Sequence, residues 1–147
     1  MEEILQIDKN NIEAVAQFIL PYKNAPEKIL PYFKGKLSSQ DTYTDCIKYT
    51  IKNDSAINTV ILDVKNKDIS NVAFYGSLNI NYNDLVVLFG EAIEYYERYD
   101  DTYEFFFKIN SATSCYIKLF IPSNEKQENW KEKKLTNLSV FFDNKMT

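Results

Sequence analysis

Residues 102–122 read TYEFFFKINSATSCYIKLFIP, and the way this stretch repeats decides the fold class. Tyr103, Phe105, Phe107 and Ile109 take every second position, and so do Cys115, Ile117, Leu119 and Ile121. A period of two sends alternate side chains to opposite faces of an extended backbone, so each run reads as a strand. Asn110–Ser114 between them has turn chemistry, which makes the pair a hairpin. Pro122 has no N–H for a ladder and ends the second strand. Phe106 fills the other face of the first strand, so the Phe105–Phe107 run predicts a strand covered on both sides. The alternative is an exposed Phe106 patch.

The same period continues in both directions. Upstream, Asp100, Asp101 and Thr102 read as a turn, and a strand over Ile93–Arg98 completes a second hairpin. Before it, Leu85, Leu88 and Phe89 fit a helix capped by Asn81 or Asn83 and stopped by Gly90. The apolar stripe also continues through Ala92, Tyr96 and Tyr99, which would make 84–99 one helix. Helix, glycine stop and strand is the preferred reading, because the following run alternates so strictly. Ile47, Tyr49 and Ile51 alternate, Asn53–Ser55 turns the chain, and Ile57–Val64 is a β-branched return strand. Asn66–Asp68 turns it again into a strand over Val72–Leu78, with Gly76 marking a bulge or a close approach. Downstream, Ser123–Lys134 is a charged loop or short helix anchored by Trp130. Leu138, Val140 and Phe142 form a last strand, and Asp143–Thr147 is a polar tail.

The first forty residues have a different period. Ile12, Val15, Ala16, Ile19 and Leu20 form one helical stripe, with Asn10 as cap, Glu13 completing a capping box and Pro21 as stop. Pro26 opens a second, short helix with Ile29, Leu30 and Phe33 inward. Gly35 and Ser38–Thr44 read as loop. No repeat and no break in composition divides the 147 residues. The expectation is one α+β domain over 1–147, with N-terminal helices packed on a mostly antiparallel, aromatic-rich sheet and one inserted short helix.

The chemistry is bounded mainly by absences. The chain has no histidine, which removes His-based nucleophile systems, His acid–base catalysis and His-ligated zinc. Its three glycines, at 35, 76 and 90, are too far apart for a phosphate-binding loop, and no GxSxG elbow occurs. No cofactor and no metal site is expected, and the chain reads as non-enzymatic. Cys46 and Cys115 show no metal-type spacing; they read as reduced thiols, paired only if their strands are neighbours. MEEILQIDKN is acidic and resembles no signal peptide, and no apolar run is long enough to span a bilayer. A cytoplasmic protein without membrane or nucleic-acid contact is expected, and its oligomeric state is open. The lysines around Trp130 are nearly cancelled by Glu125, Glu128 and Glu132, so they do not make a nucleic-acid footprint.

The net charge of −4 is local. Residues 84–104 hold seven acids, Asp84, Glu91, Glu94, Glu97, Asp100, Asp101 and Glu104, against Arg98 alone. The rest of the chain has 16 basic and 14 acidic residues. Tyr82, Tyr95, Tyr96, Tyr99 and Tyr103 interleave with the acids. Three readings are open: a solvated face, a surface for a basic protein partner, and a carboxylate pair for metal or glycoside chemistry. The stretch LVVLFG followed by EAIEYYERYDDTYEFFF resembles the small acidic immunity proteins that neutralise bacterial toxin domains. That resemblance implies a non-catalytic protein-binding module covering a basic toxin domain. Its partner-binding residues would be Glu94, Tyr95, Glu97, Tyr99, Asp100, Asp101 and Glu104. The alternatives are a small-ligand-binding domain and a structural subunit of a larger assembly.

Overall fold

The computed structural model describes residues 4, 6–32, 37–51, 56–66, 68–109, 115–127 and 129–142, without the side chains of 30 and 37–41. The described residues contain strands β1 Leu37–Thr42, β2 Cys46–Ile51, β3 Ile57–Lys65, β4 Asp68–Gly76, β5 Ile93–Glu97, β6 Thr102–Lys108, β7 Cys115–Pro122 and β8 Asn137–Phe142. They form one sheet in the order β1-β2-β3-β4-β8-β7-β6-β5, with every neighbouring pair antiparallel. The sheet is two four-stranded meanders. After β4, helix α2 (Tyr82–Phe89) carries the chain to the far edge, and the second meander returns until β8 pairs with β4. The expected α+β architecture, with N-terminal helices on an antiparallel, aromatic-rich sheet, is the observed one.

Directly opposed residues share a face in such a ladder. One face therefore carries Tyr49, Val60, Phe74, Leu138, Ile117 and Phe105, all buried. Helix α1 (Ile12–Ile19) belongs to the same core and buries Ile12, Val15, Ala16 and Ile19. Tyr82 of α2 meets Phe105, Phe107 and Trp130 edge-on, with ring centroids 5.3, 5.3 and 4.7 Å away. Trp130 thus anchors the charged segment after β7 to the body. Asn81 and Asp84 form a reciprocal capping box at the start of α2. Gly90 ends the helix at φ 86, so 84–99 is helix, stop and strand. Leu88 is exposed. Phe106 is buried on the opposite face of β6 between Tyr95 and Phe141, so that strand is covered on both sides. Gly76 marks a close approach: a Cβ there would lie 2.1 Å from the Ala56 carbonyl oxygen.

Several local expectations are corrected. Asn10 does not cap α1. The Asp8 carboxylate accepts from the backbone N–H of Asn10 and Asn11, because an Asp reaches the donors two and three residues on in a turn. The α-helix does end at Ile19, ahead of Pro21, and the chain continues as a 3₁₀ segment, Leu20–Tyr22, whose first turn accommodates the proline. The second helix is instead two 3₁₀ turns, Pro26–Lys28 and Leu30–Tyr32, since Pro31 lacks the donor a longer helix needs. Ile29 between them is buried as expected. Ser38–Thr44, read as loop, lies mostly in strand β1, made by backbone pairing with β2. Phe33, Gly35 and the turns at Asn53–Ser55 and Asn110–Ser114 lie outside the described residues, as does the tail Asp143–Thr147. The cysteines are free: Cys46 is on β2 and Cys115 on β7, with three strands between them. Burial pushes the Cys115 thiol up to about 11. No helix among the described residues is long and apolar enough to cross a membrane.

Candidate functional site

β5 reads IEYYE and is the outermost strand of the second meander. Its ladder to β6 sets Ile93, Tyr95 and Glu97 opposite Phe106, Glu104 and Thr102, and Glu94 and Tyr96 opposite Phe105 and Tyr103. All five β5 residues are exposed, because nothing among the described residues flanks the strand's outer side. Residues 98–101 turn the chain, with Asp101 at φ 51, a conformation that Asp tolerates better than most residues. Tyr99 in this turn is 98% exposed, Tyr95 51% and Tyr96 50%.

The expected partner-binding residues all lie on this one hairpin, and strand alternation divides them between its two faces. Glu94 is on the helix-bearing face and forms an ion pair with Lys126. Lys126, in the short helix α3 (Ser123–Lys126), also lies 3.6 Å above the Tyr103 ring centroid. Tyr95 is on the opposite face, edge-on to Phe106 at 5.6 Å. Glu97 accepts from the Tyr99 backbone N–H at 3.0 Å. Asp100 is exposed in the turn. The Asp101 carboxylate accepts from the Tyr96 hydroxyl at 2.5 Å and the Ser123 hydroxyl at 2.8 Å. Those two bonds hold its pKa below the usual carboxylate value, and the Tyr96 bond raises the tyrosine's own pKa. Glu104 is half-buried on the Tyr95 face, opposite Phe120. Of the other two acids, Asp84 belongs to the capping box and Glu91 is exposed just before β5.

Three residues that shape this region escaped the sequence reading. Ser123 and Lys126 reach the hairpin from beyond β7, and only the strand order makes them neighbours. The third, Lys118, had a local signal, since Tyr116, Lys118 and Phe120 alternate onto one face of β7. Its ammonium lies 4.5, 4.9 and 5.9 Å from the ring centroids of Phe120, Phe141 and Phe106. Burial pulls its pKa down, against the opposing pull of Glu104 and Asp63. On the same face, the Asn71 amide donates to Asp63 and Ser139, while Asn71 Oδ1 and the buried Tyr116 hydroxyl have no partner among the described residues.

No cluster of three His, Cys, Asp or Glu side chains able to hold a metal ion occurs among the described residues. An open cleft of about 500 Å³ lies where β7 meets the segment leading into β8. Ile121, Trp130 and Leu135 line it together with Glu125, Lys133 and Lys134, and its one carboxylate has no acidic neighbour in the lining. In this region Asp84 thus acts in a helix cap, Glu94 in an ion pair, and Glu97 and Asp101 as hydrogen-bond acceptors.

No protein-family model matches the chain, and no curated protein matches its sequence. Among solved structures, the chain is similar to an extracellular protein containing an SCP domain from Bacillus anthracis, with 13% identity and a TM-score of 0.42. The match covers 82% of this chain and 43% of that one. A likeness at that level assigns no function.

Proposed function

We propose that this domain is a non-catalytic protein-binding module whose partner is basic, as for an immunity protein covering a toxin domain. The binding surface is the β5–β6 hairpin. The observation that carries this reading is the outermost strand itself: five exposed residues, two of them tyrosines, with Tyr99 almost free in the adjoining turn. Tyrosine offers a large contact area at low conformational cost, and two of these rings are held before any partner arrives. Tyr95 rests on Phe106 and Tyr96 is fixed by Asp101. Glu91, Glu97, Asp100 and Glu104 supply the negative field that steers a cationic surface.

The test uses the variant Glu97→Lys/Asp100→Lys/Glu104→Lys, which keeps the Asp101 and Glu94 contacts and gives up the Glu97 bond to the Tyr99 amide, with the wild-type fold of the variant checked by its amide spectrum. Binding to the product of the adjoining gene is measured by calorimetry. Wild-type affinity should fall about tenfold between roughly 50 and 300 mM salt, and the variant should lose about tenfold at the lower salt. Equal affinity of both proteins would remove the surface. A second reading, a structural subunit, draws on the same open edge; it predicts self-association on a sizing column without any partner.

A further inference from the structure

We infer that β5 takes up a ninth strand: an extended, basic segment of the partner that pairs with its outer edge. This rests on the hairpin being the binding surface and adds how that surface is used. In an antiparallel ladder, alternate residues direct their N–H and C=O away from the neighbouring strand. Among the described residues β5 is paired only with β6, so its other side offers backbone donors and acceptors. An extended peptide satisfies these directly, and main-chain bonds then supply much of the affinity.

Charge is the main device that guards this edge, through Glu94 and Glu97, and it repels a like-charged strand but not a basic one. β5 has no proline, no lysine and no register shift against β6. It is held in its extended shape from both faces, by Lys126 on Glu94 and Asp101 on Tyr96 on one side and by Tyr95 on Phe106 on the other. A pre-ordered edge pays little entropy when a strand is added.

Charge selects the occupant. A second copy of this chain, paired antiparallel about Tyr95, would set Glu94 diagonally across from its own counterpart and Glu97 diagonally across from Glu91. Diagonal positions lie within reach of long side chains, so these like charges repel. A parallel self-pairing also lines up like residues. An added strand meets Ile93, Tyr95 and Glu97 on one face and Glu94 and Tyr96 on the other. Lysine or arginine alternating with β-branched residues sets all its cations on one face, against Glu94 or Glu97, and its apolar side chains on the other, against a tyrosine ring.

The probe is a capped peptide of about nine residues alternating lysine and valine, added to the isotope-labelled chain. Two further versions carry N-methyl groups on alternate residues, one version for each edge of the peptide. The parent peptide should shift the amides of residues 93–97 and slow exchange at every second one. One N-methylated version should lose about tenfold in affinity and the other should bind like the parent. If both bind like the parent, strand addition is overturned, while a salt-sensitive side-chain surface stands. If the parent leaves β5 unchanged, strand addition is likewise overturned; the partner's response to the triple-lysine variant reports separately on the surface. Concentration-dependent protection of β5 without peptide would place a second copy there and overturn the basic occupant.

Discussion

Lys126→Met should make the domain less stable and its hairpin a better binder. The Lys126 ammonium pairs with Glu94 and lies 3.6 Å from the Tyr103 ring centroid and 5.4 Å from that of Phe105. Methionine keeps a long apolar stem and removes only the charge. The pair is part-exposed, with side chains 27% and 46% accessible, so solvent screening limits its worth to about 0.2–1 kcal/mol. The ammonium over the rings adds about 0.5–1 kcal/mol. The variant should therefore lose about 0.7–2 kcal/mol, or roughly 2–6 °C in Tm for a chain of this length. Urea unfolding followed by fluorescence reads this directly, because Trp130 is the lone tryptophan and is buried.

Without the Lys126 ammonium, Glu94 has no cation of its own. The alternating lysine–valine peptide should then bind about two- to fivefold more tightly at low salt, with a steeper salt dependence. Glu94→Gln is the control: it breaks the same pair but leaves no carboxylate for the peptide, so stability should fall without a gain in affinity. Unchanged stability together with unchanged affinity would refute this role for Lys126. Weaker peptide binding by the methionine variant would refute the competition for Glu94.

Gly76→Ala should cost about 2–4 kcal/mol in urea unfolding, since its Cβ would lie 2.1 Å from the Ala56 carbonyl oxygen at φ +152; a cost below about 1 kcal/mol would mean the β3–β4 junction yields easily. Asn137→Leu should cost about 2–3 kcal/mol, because the Asn137 amide bonds both the N–H and the C=O of Phe120 at 3.0 Å, where the β7–β8 ladder has ended. Asn137→Asp keeps the acceptor for the Phe120 N–H and loses the donor, and a melt indistinguishable from wild type for both variants would show those bonds to be dispensable. Asp101 has a lowered pKa in the folded state, so its contribution is complete above the ordinary carboxylate range and is lost as pH falls through the lowered value. Thermal melts from neutral pH to well below about 4 should lose stability less steeply for Asp101→Asn than for wild type, and parallel curves would count against the Tyr96 and Ser123 bonds.

The strands with one face in the core were legible because burial itself imposes the period of two. In β6 and β7, Phe105, Phe107, Ile117 and Leu119 alternate for the same reason that they are buried. β1 gave no such signal: LSSQDT lacks apolar alternation, and its pairing with β2 is a backbone matter. Strand order was beyond local reading, because the contact joining the two meanders sets Asn71–Tyr75 against Asn137–Phe141, far apart in the chain. The acidic cluster was visible because it is continuous in sequence, and alternation then divided it. Glu94 and Tyr96 face the helices, while Tyr95, Glu97 and Glu104 face away. The Lys126 and Ser123 contacts depend on the chain's return along β7, which no spacing within 84–104 encodes.

Much of the acidity has structural employment: Asp84 in a helix cap, Glu94 with Lys126, Glu97 on a turn amide, and Asp101 between Tyr96 and Ser123. These contacts shape the hairpin, which leaves a smaller field for steering than seven carboxylates suggest. Binding by that field alone should fade as salt rises, since exposed charges are screened within about 10 Å at 0.1 M. Backbone bonds along β5 are far less sensitive to salt. A strand-adding partner should therefore retain a residual affinity at high salt, and N-methylation should then remove the larger share of what remains. If raising the salt instead abolishes peptide binding altogether, the outer edge of β5 contributes no ladder, and charge attraction is all that the hairpin offers.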